Sequence, residues 1–115
     1  MSTKIYHNPR CSKSRQTLAL LNDNGVSPQI VEYLKDTPTV DEIKSLIKML
    51  GLTSARDLMR TGELIYKELG LKAVNDEERL IRAMAENSKL IERPIVIKDG
   101  KAIIGRPPEL VLTLL

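Results

Sequence analysis

The stretch IYHNPRCSKSRQTLALLNDNGVSPQIVEYL, residues 5–34, decides the fold. Ile5 and Tyr6 read as the end of a first strand, and Pro9 punctuates the loop behind them. The pattern predicts a helix from about Ser12 to Asn24, with Gly25 just past its end, where a left-handed residue closes helices. Pro28–Leu34 reads as a second strand, opened by a proline where no ladder N–H is needed. Strand, helix and strand in this order predict a βαβ unit, because parallel strands need a crossover connection.

Toward the C-terminus the period of the pattern changes. Ile95-Val96-Ile97 and Ala102-Ile103-Ile104 flank Lys98-Asp99-Gly100-Lys101. Asp-Gly between two apolar runs predicts a hairpin, since its turn needs positive φ. Pro107 and Pro108 suit the first turn of a final helix carrying Leu110, Val111, Leu114 and Leu115.

The middle is helical. Thr39-Val40-Asp41-Glu42 matches a capping box, with Ile43, Leu46, Ile47 and Leu50 at helical spacing and Gly51 as the stop. Ser54 is placed to cap a short helix reaching Leu58 and Met59, and another spans Glu63 to Leu69. Asn75 to Glu78 starts a further helix with Leu80, Ile81, Met84 and Ala85 as its apolar stripe. The expected fold is one α/β domain over residues 1–115, with a mixed sheet of about four strands, βαβ then ββα, and a helical insertion at about 38–88.

Composition narrows the function classes. The 115 residues suit one core, which must be aliphatic because there is no Trp, no Phe and only three Tyr. A net charge of +3 with so few aromatics argues against a base-stacking nucleic-acid platform. One cysteine cannot form an internal disulfide, which excludes a disulfide-stapled secreted domain. Lys4, His7 and Arg10 interrupt any signal-like apolar start, and no run reaches the ~18 apolar residues of a membrane span. A cytoplasmic protein is expected, where thiols stay reduced.

The single cysteine, Cys11, falls at the first turn of the predicted helix, among His7, Arg10, Lys13 and Arg15. A helix N-terminus offers unpaired N–H groups and a partial positive charge, which together with cations favour the thiolate. A lone cysteine is more often buried and inert. Here the polar, cationic flanks favour a reactive nucleophile. Three arginines stand out by context: Arg60 at the end of a short apolar helix, Arg93 before Pro94, and Arg106 before Pro107. The hairpin brings Arg93 and Arg106 toward one end of the sheet. A guanidinium fork suits oxyanions, although most arginines are solvated surface charges. Asn8 has the ordinary loop role of a turn hydrogen bond. His7 either tunes Cys11 or ends the first strand. The Arg93–Pro94 bond is expected to be trans on general frequency.

His7-Asn8-Pro9-x-Cys11-x-x-Ser14, Leu58-x-Arg60, Arg93-Pro94-Ile95 and Arg106-Pro107 together resemble the glutaredoxin-coupled arsenate reductases, the ArsC family. The likeness spans essentially the whole chain and is nearest to the small YfgD-like branch. It implies a thioredoxin-like fold and a cis bond before Pro94. It implies that Cys11 attacks arsenate, that Arg60, Arg93 and Arg106 hold the oxyanion, that His7 helps keep the thiolate, and that Ser14 hydrogen-bonds the sulfur or the anion. Glutathione as co-substrate and glutaredoxin would then resolve the adduct to arsenite. No bound cofactor, metal, nucleic acid or membrane is expected, and the protein is expected to be a monomer. Two positions depart from the best-known members: Ser12-Lys13 stands for Gly-Thr, and Gly105 for a frequent Cys. A rival class is a regulator like the Spx proteins, which bind RNA polymerase. Many of those use a Cys-x-x-Cys switch, which Ser14 removes here. A thiol protein acting on another substrate is the remaining alternative.

Overall fold

The computed structural model describes residues 3–115. The chain divides into two compact units, one made of the N-terminal segment to Asp36 and Arg93–Leu115, the other of Thr37–Glu92.

The first unit is a four-stranded sheet in the order β2-β1-β3-β4 with α1 and a C-terminal 3-10 helix. The strands are β1 (Thr3–Tyr6), β2 (Gln29–Val31), β3 (Ile95–Lys98) and β4 (Lys101–Ile104), and α1 is Ser12–Asp23. β1 pairs with β2 in parallel and with β3 antiparallel, and β3 pairs with β4 antiparallel. The mixed sheet therefore follows the predicted βαβ and ββ order. Ile5, Leu21, Val96 and Val111 are fully buried and form its core, with Leu18, Val26, Ile103 and Leu114 packed around them. Ile5 and Val96 come from the sheet, Leu21 from α1 and Val111 from the C-terminal segment, so burial of aliphatic surface joins the elements.

Local chemistry explains the boundaries. Gly25 is left-handed (φ 77°), its N–H donates to the Asn22 carbonyl, and the Val26 N–H donates to the Leu21 carbonyl, closing α1 with a Schellman turn. Asp99 (φ 52°) and Gly100 (φ 77°) both take positive φ, as a two-residue hairpin turn requires. Two expectations are corrected. The second strand is only Gln29–Val31, because the Glu32 carbonyl accepts from the Lys35 and Asp36 N–H groups and folds Tyr33 and Leu34 into a turn. The last segment, Pro108–Leu114, is a 3-10 helix with Pro107 at its cap. Its end bonds, Leu110 N–H to Pro107 and Leu115 N–H to Leu112, are three residues apart. The Arg93–Pro94 and Arg106–Pro107 bonds are both cis. General frequency favours trans at the first, and nothing in the sequence singles out the second.

The second unit contains α2 (Val40–Leu50), α3 (Leu64–Glu68) and α4 (Glu77–Glu86), with 3-10 turns at Ala55–Leu58, Leu71–Ala73 and Ser88–Leu90. Thr39 and Glu42 form the complete capping box, and Gly51 ends α2 in a left-handed conformation. Ser54 caps the Ala55–Leu58 turn through the Arg56 N–H, and Asp76 caps α4 through the Glu78 N–H. Ile43, Leu46, Leu58, Leu80, Ile81, Met84, Leu90 and Ile91 are buried and form a core, while Ile47, Leu50 and Ala85 of the stripes read from sequence are half-buried at its margin. Among the described residues no helix is long and apolar enough to cross a membrane.

Candidate active site

The loop after β1 is a tight polar turn. The Cys11 N–H donates to the Asn8 carbonyl (3.0 Å), and Asn8 Oδ1 accepts from the Arg10 N–H (3.0 Å). This is the short-range turn bond expected of asparagine. Cys11 then occupies the cap position of α1, with extended backbone. Its sulfur is half-buried at the open end of the helix.

Two buried polar groups hold this loop on the helix. Ser14 is fully buried, its Oγ lies 2.6 Å from His7 Nδ1, and it accepts from the Asn8 N–H at 3.0 Å. His7 and Asn8 are buried as well. The Ser14 hydroxyl is thus a clamp between strand end and helix, and an unmade bond here would carry the full desolvation cost of a buried group.

The end of the hairpin supplies the cations. The Gly105 N–H donates to the Pro94 carbonyl (2.9 Å), and Ile95 pairs with Ile104, so Arg93 and Arg106 flank the same sheet end. Arg106 Nε donates to the Arg93 carbonyl at 2.8 Å. Arg106 Nη2 lies 3.7 Å from the Cys11 sulfur. The Arg93 guanidinium also hydrogen-bonds that sulfur.

The thiol is lowered from its ordinary value. Burial is the largest influence and opposes the thiolate, but it is outweighed by the Ser14 N–H, the Arg93 guanidinium and the Lys13 N–H, all directed at the sulfur. The helix-end N–H groups act as read in sequence, but the cation differs. Lys13 acts through its main-chain N–H, and Arg93, distant in sequence, replaces Arg10 and Arg15 as the decisive cation. His7 is held below the usual imidazole range, first by burial, with Glu32 opposing and Arg15 adding to the effect. A neutral His7 bonded to Ser14 bears on the cysteine through the position of that serine.

The first unit therefore brings together His7, Asn8, Cys11, Ser14, Arg93, Pro94 and Arg106. Arg60 belongs to the second unit. There its Nη1 meets Glu92 at 2.8 Å and its Nε meets Glu63 at 3.3 Å. Burial weakens its charged form, but the two carboxylates outweigh that and raise its pKa. Among the described residues no group of His, Cys, Asp and Glu is arranged to hold a metal ion. Sequence reasoning missed the buried Thr17. The stripe Ser14, Thr17, Leu21, at helical spacing, is the signal that marks the face α1 turns inward.

The ArsC family model matches residues 6–114. The chain belongs to the ArsC family. It is 57% identical over 112 residues to YfgD of Escherichia coli (strain K12), covering 96% of this chain and 94% of that protein. It is 51% identical over 116 positions to a protein named arsenate reductase in Haemophilus influenzae, covering 100% of both. Among solved structures, the arsenate reductase from Vibrio cholerae superposes with a TM-score of 0.97 at 53% identity, covering 100% of this chain and 98% of that one. The fold is thioredoxin-like, as in those family members.

Proposed function

We propose that the protein reduces arsenate to arsenite with Cys11 as the nucleophile. The observation that carries this reading is the convergence of two helix-end N–H groups and two guanidinium groups on one sulfur. Relatives named arsenate reductase support it.

The Cys11 thiolate attacks arsenic and displaces one oxygen, which leaves as water after protonation. Arg93 and Arg106 hold the remaining oxygens and stabilise the charge that develops on them. Glutathione then attacks the cysteine–arsenate adduct. The two thiols supply the electron pair that takes arsenic(V) to arsenic(III), arsenite leaves, and a mixed disulfide with Cys11 remains. Glutaredoxin reduces that disulfide by exchange. With one cysteine in the chain, the resolving thiols must come from outside. His7 and Ser14 position the cysteine turn. Arg60 is included as an oxyanion ligand on the family resemblance alone.

The test is NADPH oxidation with arsenate, glutathione, glutaredoxin and glutathione reductase. Oxidation should depend on arsenate and disappear in Cys11→Ser. Activity that survives that substitution, or a wild type with none, overturns the proposal.

A further inference from the structure

Gly105 precedes Arg106, and its backbone does not explain its identity. Gly25, Gly51, Gly70 and Gly100 have positive φ, whereas Gly105 does not. Of the six glycines in the chain, it alone has no room for a side chain: a Cβ there would lie 2.7 Å from Thr17 Oγ1, 3.0 Å from Pro94 Cγ and 3.2 Å from Thr17 Cγ2. The first of these is closer than carbon and oxygen can pack. Thr17 has little freedom to retreat. It is fully buried, and its hydroxyl donates to the Lys13 carbonyl at 2.8 Å, in the same turn that presents the Lys13 and Ser14 amides to the sulfur. Pro94 is also buried, and its carbonyl accepts the Gly105 N–H.

One contact thus joins three parts of the site. Thr17 lies on α1, whose open end carries Cys11. Pro94 follows Arg93, and Gly105 precedes Arg106. We infer that Gly105 and Thr17 are positioning residues whose close contact fixes how near the first turn of α1 comes to the exit of β4, and so how near Arg106 and Arg93 come to the Cys11 sulfur. The missing side chain at position 105 lets helix and hairpin approach. The small buried side chains of Ser14 and Thr17 continue that close seam along α1. A side chain at 105 must push the helix or the hairpin end outward. Because Arg106 Nη2 is already 3.7 Å from the sulfur, a small displacement takes it out of hydrogen-bond range.

The kinetic part of this inference rests on the proposed arsenate chemistry; the thiol part does not. The full chain is compared with Gly105→Ala, Thr17→Ala, the double Gly105→Ala/Thr17→Ala and the double Gly105→Ala/Thr17→Val. The readouts are the pH profile of Cys11 alkylation by iodoacetamide, kcat/KM for arsenate, and the melting temperature. The charged and polar groups facing the sulfur are Arg93, Arg106 and the Ser14 and Lys13 amides, with His7 acting through Ser14. None of these is altered, so a changed profile reports their distance.

Gly105→Ala should move the alkylation inflection to higher pH and lower kcat/KM by about tenfold, since a misplacement of ~1 Å can cost up to ~10²-fold. Thr17→Ala removes two of the three nearest atoms, Oγ1 and Cγ2, and should restore both readouts in the double variant. Thr17→Val keeps a group of similar size at the Oγ1 position and should not. A folded Gly105→Ala with the wild-type inflection and rate overturns the inference. So does a Gly105→Ala/Thr17→Ala double that regains melting temperature but not thiol reactivity. If Gly105→Ala alone does not fold, the profile of that double decides: the wild-type inflection is expected, and a displaced one overturns the inference. A wild type without arsenate turnover defeats the proposed function and leaves the alkylation comparison standing.

Discussion

In the Thr37–Glu92 unit, Arg56 and Arg60 are bonded to protein oxygens. Arg56 donates to the Tyr66 hydroxyl and to the Leu71 and Val74 carbonyls, and Arg60 is paired with Glu63 and Glu92. In the unit that carries Cys11, two arginines are turned on a sulfur: Arg93 hydrogen-bonds it, and Arg106, while its Nε donates to the Arg93 carbonyl, lies 3.7 Å from it. The buried polar residues differ in the same way. Among the described residues Thr3, His7, Asn8, Ser14 and Thr17 are buried, and all lie in the cysteine-bearing unit. Burying hydroxyls, an amide and an imidazole is unfavourable unless each is bonded. Four of these five line the cysteine turn and the inner face of α1 behind it. The contrast teaches that a residue's type says little until its partners are known. A guanidinium bonded to carbonyls and carboxylates is a strut, while one aimed at a half-buried thiol is a reagent.

The comparison breaks most decisively at Cys11. Cys11→Ser should reduce arsenate turnover to background in the coupled assay while the melting temperature barely changes, because serine is similarly small and is a favoured residue at the cap position that Cys11 occupies. Next in size are the arginines of that unit. Arg106→Ala should lower kcat/KM by about 10²-fold, as losing an oxyanion donor does. Its effect on unfolding free energy should stay within about 0.5 kcal/mol, since the residue is exposed. Arg106→Lys should recover only part of the rate, because lysine keeps the charge and loses the fork. Urea denaturation beside kinetics separates the two quantities. A variant that loses stability and rate together would erase the distinction between strut and reagent.

Arg56→Ala should show the reverse. It leaves the Tyr66 hydroxyl and two carbonyls without their donor, and should cost about 1–3 kcal/mol in urea denaturation. The alkylation profile of Cys11 should stay unchanged. The smallest effect is the pH dependence at His7. Burial lowers its folded-state pKa, so the unfolded chain binds the proton more readily. Stability should therefore decline as pH falls below ~6.5, the unfolded imidazole value, and level off below the folded one. His7→Gln should flatten that slope in a pH series of melting curves. Stability that rises on acidification through this window would contradict a buried, neutral His7.

Reading the sequence went furthest where the signal was local. Thr39 and Glu42 satisfy each other's N–H groups within one turn, and Asp99-Gly100 sets a hairpin by its own φ angles. The order of strands and helices followed, as did the cap position of Cys11 and the shared sheet end of Arg93 and Arg106. It went wrong where a local pattern met a competing bond. Tyr33 and Leu34 continue an apolar run, yet the Glu32 carbonyl takes two N–H groups and ends the strand.

What the sequence determined by itself, then, is the periodicity, the turns and the caps, because these depend on residues a few positions apart. It also determined the presence of one thiol among cations. The tertiary structure decided which of those cations matters. Arg10 and Arg15 are neighbours of Cys11 in the chain, but Arg93, 82 positions away by number (93 − 11), shares its sulfur. It decided that Lys13 contributes an amide, because the helix end points its N–H groups at the cap. It decided too that Gly105 is a matter of space, since only the packed helix and hairpin bring Thr17 to where a side chain would have to sit.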